Sequence, residues 1–367
     1  MMIARRHTVA IRMGNVQIGN GAPISIQSMT KTKTTDVKAT REQVEALRSA
    51  GCDIVRVAVP DNAAADALRE IVASSRCPIV ADIHFSASLA LKALDAGVHG
   101  LRLNPGNIER REDIARIVEK AGEKQVPIRI GVNAGSLSRG YRSQVEQGQM
   151  PLAEAMVASA REFINHFESL GFRQIKISLK ASDVLTTVQA YRLLARECDY
   201  PFHVGITEAG IGHSGIIKSA VGLGILLFEG LADTIRVSLT GDPCQEVVVA
   251  KKILRSLGLA NDSPQVISCP TCGRTDIDVE NIAREVEEAL VGETIPLKIA
   301  IMGCVVNGPG EARDADVGIT GGKGVGLVFR KGEIVRKVPE SELVNALLEE
   351  VERLKRDHLQ SSHTPRT

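Results

Sequence analysis

The chain has 367 residues, 44% of them hydrophobic, and its 45 Lys and Arg nearly balance 44 Asp and Glu for a net charge of +1. A single hydrophobic core seldom grows past about 250–300 residues, so this length predicts two domains. Balanced charge leaves no global field to draw the protein to nucleic acid or an anionic membrane, and 3% aromatics with no Trp offers few platforms for stacking bases.

Met1 to Asn15 carries scattered charge and lacks the continuous apolar run of an export signal. The most apolar window, Ile216 to Phe228, is interrupted by Lys218 and is shorter than the roughly 20 residues that cross a bilayer, so it reads as a buried helix. A cytoplasmic location is therefore expected. Seven cysteines, an odd number at irregular spacing, predict reduced thiols rather than a disulfide framework.

In chain order, HTVAIRMGNVQIGNG alternates and turns at Gly14-Asn15, which predicts a short hairpin able to plug the lower end of a barrel. From residue 24 a β-branched run followed by a helical stretch recurs. Strands are expected at 24–29, 53–59, 78–85, 99–104, 127–133, 174–180, 201–207 and 234–239, and helices include 37–50, 108–121, 152–170 and 245–257. Eight such units in about 235 residues match the (β/α)₈ or TIM barrel better than an open sheet of five or six strands. The turn-rich GLANDSP at 258–264 marks a boundary, after which a β-α-β-β-β-α order with glycine-rich turns predicts a small α/β domain. The expected division is a barrel over 1–258, a metal domain over 265–356 and a disordered tail over 357–367.

Side chains two or four apart on a barrel strand share the lumen. Asp82 and His84 are so related, as are Arg102 and Asn104, Arg129 and Asn133, Lys176, Ser178 and Lys180, and Arg236 and Ser238. Arg56 lies midway along its strand and Glu208 just past the seventh. Cations converging on a low-dielectric lumen call for an anion, and the turns TEAGIGHSG and SLTGDP supply backbone N–H groups where barrels often hold phosphate. Any one of these residues could instead pair with a lumen carboxylate; as a set they point to a phosphate or diphosphate ester. His84 reads equally as a proton donor or a hydrogen-bonded structural group.

Cys269-Pro-Thr-Cys272 can grip one metal centre, and Cys304 comes later, in IAIMGCVVNGPGE. Between Ser263 and Arg356 there is no His and no other Cys, so a four-ligand structural zinc site is incomplete. A [4Fe–4S] cluster tolerates three thiolates with a different fourth ligand. Glu311 is a reachable carboxylate, although on the residues alone a solvated or helix-capping role is the plainer reading. Cys52, Cys77, Cys198 and Cys244 read as small buried hydrophobes, with Cys244 a minor alternative ligand. The glycines of Gly322-Lys323-Gly324-Val325-Gly326 join two strand-like runs and open no helix, so they predict a hairpin turn rather than a dinucleotide site.

The segments SMTKTKTTD, DIVRVAVP, ADIHF, LRLNPGN, IRIGVNAGSL, SLKASD, GITEAG, RVSLTGDP, ISCPTCGRT and MGCVVNGPGEA resemble those of the bacterial 4-hydroxy-3-methylbut-2-en-1-yl diphosphate synthases, and the likeness runs over nearly the whole chain. It implies reductive ring opening and dehydroxylation of 2-C-methyl-D-erythritol 2,4-cyclodiphosphate in the non-mevalonate isoprenoid pathway, with electrons from flavodoxin or ferredoxin. It implies a [4Fe–4S] cluster on Cys269, Cys272, Cys304 and Glu311. The implied diphosphate ligands are Arg56, Arg102, Arg129, Lys180, Arg236 and Ser238, with Asp82, His84, Asn133 and Glu208 around the reacting carbons. Glu208 is the implied group for stabilising or protonating the intermediate, with His84 next. The resemblance also implies a homodimer in which the barrel of one subunit is capped by the cluster domain of the other. The rival reading is a non-redox barrel transferase with a structural zinc domain; a further rival, an iron–sulfur sensor without chemistry, has no use for a charged lumen.

Overall fold

The computed structural model describes residues 3–84, 86–104, 110–304, 310 and 312–362. The chain divides into two units, Met1–Leu259 and Ala260–Thr367.

The first unit opens with β1 (Ile11–Met13) and β2 (Val16–Ile18), paired through a two-residue turn in which Gly14 takes φ 56. A left-handed φ costs a side-chain-bearing residue more than Gly, which is why a turn forms there. Ile11, Met13 and Ile18 pack with Ile54 and Val80. Met13 enters the barrel: its Sδ lies 3.6 Å from Lys176 Nζ, and a Cβ on Gly100 would stand 2.9 Å from its Cε. The hairpin therefore floors the barrel at the N-terminal ends of its strands.

Eight parallel strands come next: β3 (Ser25–Met29), β4 (Ile54–Ala58), β5 (Ile79–Ile83), β6 (Gly100–Leu103), β7 (Ile128–Asn133), β8 (Ile175–Lys180), β9 (His203–Val204) and β10 (Thr234–Ile235). They lie in the order β8-β7-β6-β5-β4-β3-β10-β9, and a parallel bridge between Ile177 and Phe202 brings β8 to β9 and closes the ring. Helices α1 (Val37–Ser49), α2 (Asn62–Ser74), α3 (Ala87–Asp95), α4 (Arg111–Glu123), α5 (Arg139–Glu146), α6 (Leu152–Ser169), α7 (Val184–Leu194), α8 (Gly212–Phe228) and α9 (Pro243–Ser256) alternate with them. Asp36, Asp61, Ser86, Asp183 and Asp242 each accept a backbone N–H of the helix they precede, a cap typically worth about 1 kcal/mol.

Two expectations for this unit are corrected. The seventh and eighth strands are far shorter than 201–207 and 234–239, because the backbone beyond each carries polar loops rather than a ladder. A Cβ on Gly205 would stand 2.4 Å from the Arg236 carbonyl oxygen, and the Leu239 N–H donates to the Glu246 carboxylate instead of a neighbouring strand. The apolar window at 216–228 is not wholly buried: Ile217, Val221 and Phe228 form an exposed stripe on α8.

In the second unit, β11 (Gln265–Ser268), β12 (Lys298–Met302), β13 (Val317–Gly322), β14 (Val325–Arg330) and β15 (Glu333–Pro339) form one sheet, in the order β11 to β15, accompanied by helices α10 (Val279–Ala289) and α11 (Leu343–Ser362). The first two pairings are parallel and the last two antiparallel. Lys323-Gly324, with φ 54 and 76, makes the hairpin turn expected there. Lys331-Gly332, with φ 48 and 85, makes another, so among the described residues this unit has five strands where four were expected. Leu343, Ala346, Leu347 and Val351 of α11 pack with Ile299, Ile301, Val317 and Ile319. The helix then runs on to Ser362, which corrects the expectation of disorder from 357. Once its first half is docked, propagation needs no apolar periodicity, and Lys355 anchors the helix to Glu293 at 2.6 Å while pairing with Glu352 one turn back in the same helix, also at 2.6 Å.

Candidate functional site

Lumen-facing positions of the barrel carry Arg56, Arg102, Arg129, Lys176, Lys180 and Arg236, all of them at least largely buried. The carboxylates that meet them among the described residues are Asp82, on β5, and Glu246, reaching in from α9. Asp82 is the hub. Its carboxylate lies 3.2 Å from Arg102 Nη1, 3.6 Å from Arg56 Nε and 3.4 Å from His84 Nε2. Burial alone would push its pKa up, but Arg56, His84, Arg102 and Arg129 together hold it well below the usual carboxylate range.

Two carboxylates cannot neutralise six cations. Burial draws the pKa of Arg56 down to about 10, against the opposing pull of Asp82. Burial, then Arg56 and Arg102, lowers that of Arg129 far below its normal value, while Lys180 is lowered by burial, then by Arg129 and Arg236. Arg129 is 2% exposed, and among the described residues its Nε and Nη1 have no hydrogen-bond partner, nor do Arg102 Nε and Ser178 Oγ. Two unit charges 4 Å apart repel by about 4 kcal/mol at an effective dielectric of 20, so such a cluster is costly in the absence of a neutralising anion. Gly131 makes room for the Arg102 guanidinium, since a Cβ there would stand 2.9 Å from Arg102 Nε. Met29 Sδ sits 3.2 and 3.1 Å from two guanidinium nitrogens of Arg56 and 3.8 Å from Arg236 Nη1, a weak acceptor where a phosphate oxygen is a strong one.

The other expected residues are less tightly gathered. Asn133 ends β7, Ser238 lies half-buried beyond β10, and Glu208 is exposed in the loop after β9; among the described residues none of their side chains makes a hydrogen bond or ion pair. Glu208 adopts φ 51, a left-handed conformation that costs a non-Gly residue roughly 1 kcal/mol or more and marks the loop as specially shaped. Asn104 is tied to Ser136 Oγ at 2.8 Å.

Sequence reading missed Glu246 and His203. Glu246 falls in the first turn of α9, where an acidic residue simply suits the helix dipole, so nothing in the sequence marked it as a lumen group. His203 shares the lumen parity of β9 and could have been found by that signal. It is wholly buried, its Nδ1 2.5 Å from Thr234 Oγ1 and its Nε2 unpaired among the described residues, and burial followed by Arg129 and Lys180 keeps its pKa far below normal.

In the second unit the cysteines sit at strand ends. Cys269 comes directly after β11 and Cys304 shortly after β12, adjacent parallel strands, and the Cys269 N–H donates to the Ile301 carbonyl. Gly303 joins them: its N–H donates to Cys269 Sγ at 3.2 Å and its carbonyl accepts from Asp276 at 2.9 Å. A Cβ at 303 would stand 2.8 Å from Thr275 Cγ2, and the Cys272 N–H is held by Thr275 Oγ1 at 2.9 Å. Hydrogen bonds from the Arg274 backbone and side chain lower the pKa of Cys272, which favours the thiolate a metal requires. Soft thiols, an N–H directed at sulfur and no imidazole form a donor set that fits an iron–sulfur centre better than zinc. Among the described residues no three metal-binding side chains converge into a finished site, and Glu311 lies outside the described residues. Cys52 and Cys77 are buried, and burial pushes their thiols up, that of Cys77 to about 12; Cys198 and Cys244 are half-buried in the first unit.

Comparison with known proteins yields a separate match for each unit. The GcpE TIM-barrel domain matches residues 8–251 and the GcpE protein C-terminal domain matches residues 265–353. A 4-hydroxy-3-methylbut-2-en-1-yl diphosphate synthase (flavodoxin) of Geobacter sulfurreducens is 58% identical over 95% of this chain and 98% of its own length. The protein of that name from Thermodesulfovibrio yellowstonii is 52% identical over 95% of this chain and 99% of its own. Among solved structures, a dihydropteroate synthase of Xanthomonas albilineans with 4-aminobenzoic acid covers 69% of this chain and 99% of its own at 12% identity, with a TM-score of 0.47. The chain belongs to the GcpE family, that of the 4-hydroxy-3-methylbut-2-en-1-yl diphosphate synthases (flavodoxin).

Proposed function

We propose that the barrel lumen binds the diphosphate of 2-C-methyl-D-erythritol 2,4-cyclodiphosphate and that Cys269, Cys272, Cys304 and Glu311 hold a [4Fe–4S] cluster. The enzyme is an oxidoreductase of isoprenoid biosynthesis whose product is 4-hydroxy-3-methylbut-2-en-1-yl diphosphate, as its family membership establishes; the transferase alternative is not favoured. Two electrons and two protons enter the cyclic substrate, its ring opens at a carbon–oxygen bond, and one hydroxyl leaves as water. A cluster of this kind, when bound, supplies electrons singly and an iron able to act as a Lewis acid.

The chain's own residues do the rest. Arg56, Arg129, Lys180 and Arg236 neutralise the diphosphate, with Arg102 and Ser238 completing the cradle, and hold the carbons to be reduced at a fixed place. Asp82 keeps Arg56 and Arg102 oriented and His84 close to them. Asn133 and Glu208 lie toward the C-terminal ends of the strands, where barrel enzymes do their chemistry, and Glu208 is assigned the proton transfer. The observation that carries this reading is the buried guanidinium of Arg129 among other cations, its Nε and Nη1 without a partner among the described residues.

Flavodoxin, the donor in the relatives' name, is the proposed electron source, with ferredoxin as a substitute. A cytoplasmic homodimer is the proposed working form, and among the described residues no helix is long and apolar enough to cross a membrane. The test is anaerobic purification and then incubation with the cyclic diphosphate and a chemical reductant. A brown, iron-containing protein that releases the linear diphosphate is expected; a colourless, zinc-loaded protein without this turnover refutes the proposal.

A further inference from the structure

We infer that Glu246 is a positioning residue for the diphosphate site, a carboxylate inserted between strand ends to aim Arg236 and to shape the loop beyond it. The inference rests on the assignment of the cationic lumen to a diphosphate.

Strand β10 pairs with β3 only through Thr234 with Ser25 and Ile235 with Ile26. Beyond that point the two strands part, and Glu246, 1% exposed on α9, fills the opening. Its Oε2 accepts from Ser28 Oγ at 2.9 Å and lies 3.4 Å from Arg236 Nε; its Oε1 accepts from the Leu239 N–H at 3.2 Å and lies 3.3 Å from Lys31 Nζ. Lys31 in turn donates to the carbonyls of Leu239 and Gly241. One buried carboxylate therefore binds an outward-facing strand residue, a lumen guanidinium and the backbone of the SLTGDP turn.

The consequence for recognition lies in which edge of the guanidinium is used. With Nε facing Glu246, Arg236 keeps its two terminal nitrogens for phosphate oxygens, and its fork is held in one rotamer before substrate arrives. The carboxylate also stands in for the missing ladder partner of Leu239, so the loop keeps its shape without a longer strand.

Electrostatics and positioning predict opposite signs, which makes the inference testable. Removing a negative charge beside a cationic pocket should by Coulomb attraction tighten anion binding. If positioning dominates, affinity should fall, since displacing a binding group by about 1 Å can cost on the order of a hundredfold. Calorimetric titration of the full-length protein with the cyclic diphosphate is the assay. For Glu246→Gln the dissociation constant is expected to rise roughly tenfold or more, with KM rising in step and kcat nearly unchanged. Ser28→Ala removes an uncharged donor that steadies Glu246 without altering net charge, and a severalfold loss is expected; it decides the matter if the Gln variant does not fold. Unchanged or tighter binding by a folded variant overturns the inference. A wild-type protein that fails to bind the cyclic diphosphate instead overturns the diphosphate assignment, and the inference with it.

Discussion

Replacing Arg129 by Met should make the ligand-free protein more stable while abolishing its grip on the diphosphate. The guanidinium is buried with Nε and Nη1 unpaired among the described residues, and each unsatisfied buried donor costs roughly 1–3 kcal/mol. The neighbouring Arg56 and Arg102 add repulsion of the same sign. Met keeps the length and most of the apolar contact, and the volume lost returns about 1–2 kcal/mol of that gain as a packing defect. A net stabilisation of about 2 kcal/mol should remain, which for a domain of this size raises Tm by about 4–8 °C. Adding the cyclic diphosphate at a thousandfold excess over Kd should stabilise the wild type by about 4.1 kcal/mol and the variant hardly at all. Differential scanning fluorimetry with and without ligand therefore shows the order of melting inverted. If the variant melts lower without ligand, or if the ligand raises both equally, Arg129 is not an anion-binding group held in an uncompensated state.

The buried imidazole of His203 should shape the acid limb of stability. Its folded pKa lies below the unfolded value, so as pH drops below about 6.5 the unfolded chain takes up a proton that the folded one refuses, and stability falls by up to about 1.4 kcal/mol per unit. Denaturant melts at several pH values should give a flatter limb for His203→Asn, the residual slope coming in part from His99, whose pKa burial also lowers; an unaltered limb contradicts the assignment. Gly303→Ala places a Cβ 2.8 Å from Thr275 and should force the CPTC loop off its strand. Iron content after anaerobic reconstitution should fall sharply while cyclic diphosphate binding stays at wild-type level, and full iron loading disproves the role given to Gly303. Glu208→Gln should leave substrate affinity nearly intact and lower kcat by roughly a hundredfold or more; normal turnover removes Glu208 from the mechanism.

Much of the site could be read directly from the chain because strand periodicity is local. Residues two apart share a face whatever else the protein does, so Asp82 with His84, Arg102 with Asn104, and Lys176 with Lys180 could be placed in a common lumen once eight strands were counted. Turn chemistry is equally local, and Gly14-Asn15 and Lys323-Gly324 form the hairpin turns their residue types demand. Packing of one element against another decided the rest. Glu246 sits in a helix turn where an acidic side chain is unremarkable, and only the parting of β10 from β3 turns it toward Arg236. Strands β9 and β10 are short because of a close backbone approach at Gly205 and a carboxylate that replaces a ladder partner at Leu239, neither of which has a sequence period. The tail helix persists past 357 because its earlier turns are docked on the C-terminal sheet. The chain's own order of residues thus determined which groups face inward, since that is set by the geometry of single strands; tertiary structure alone decided which of them remain unpaired, because pairing depends on partners far away in the sequence.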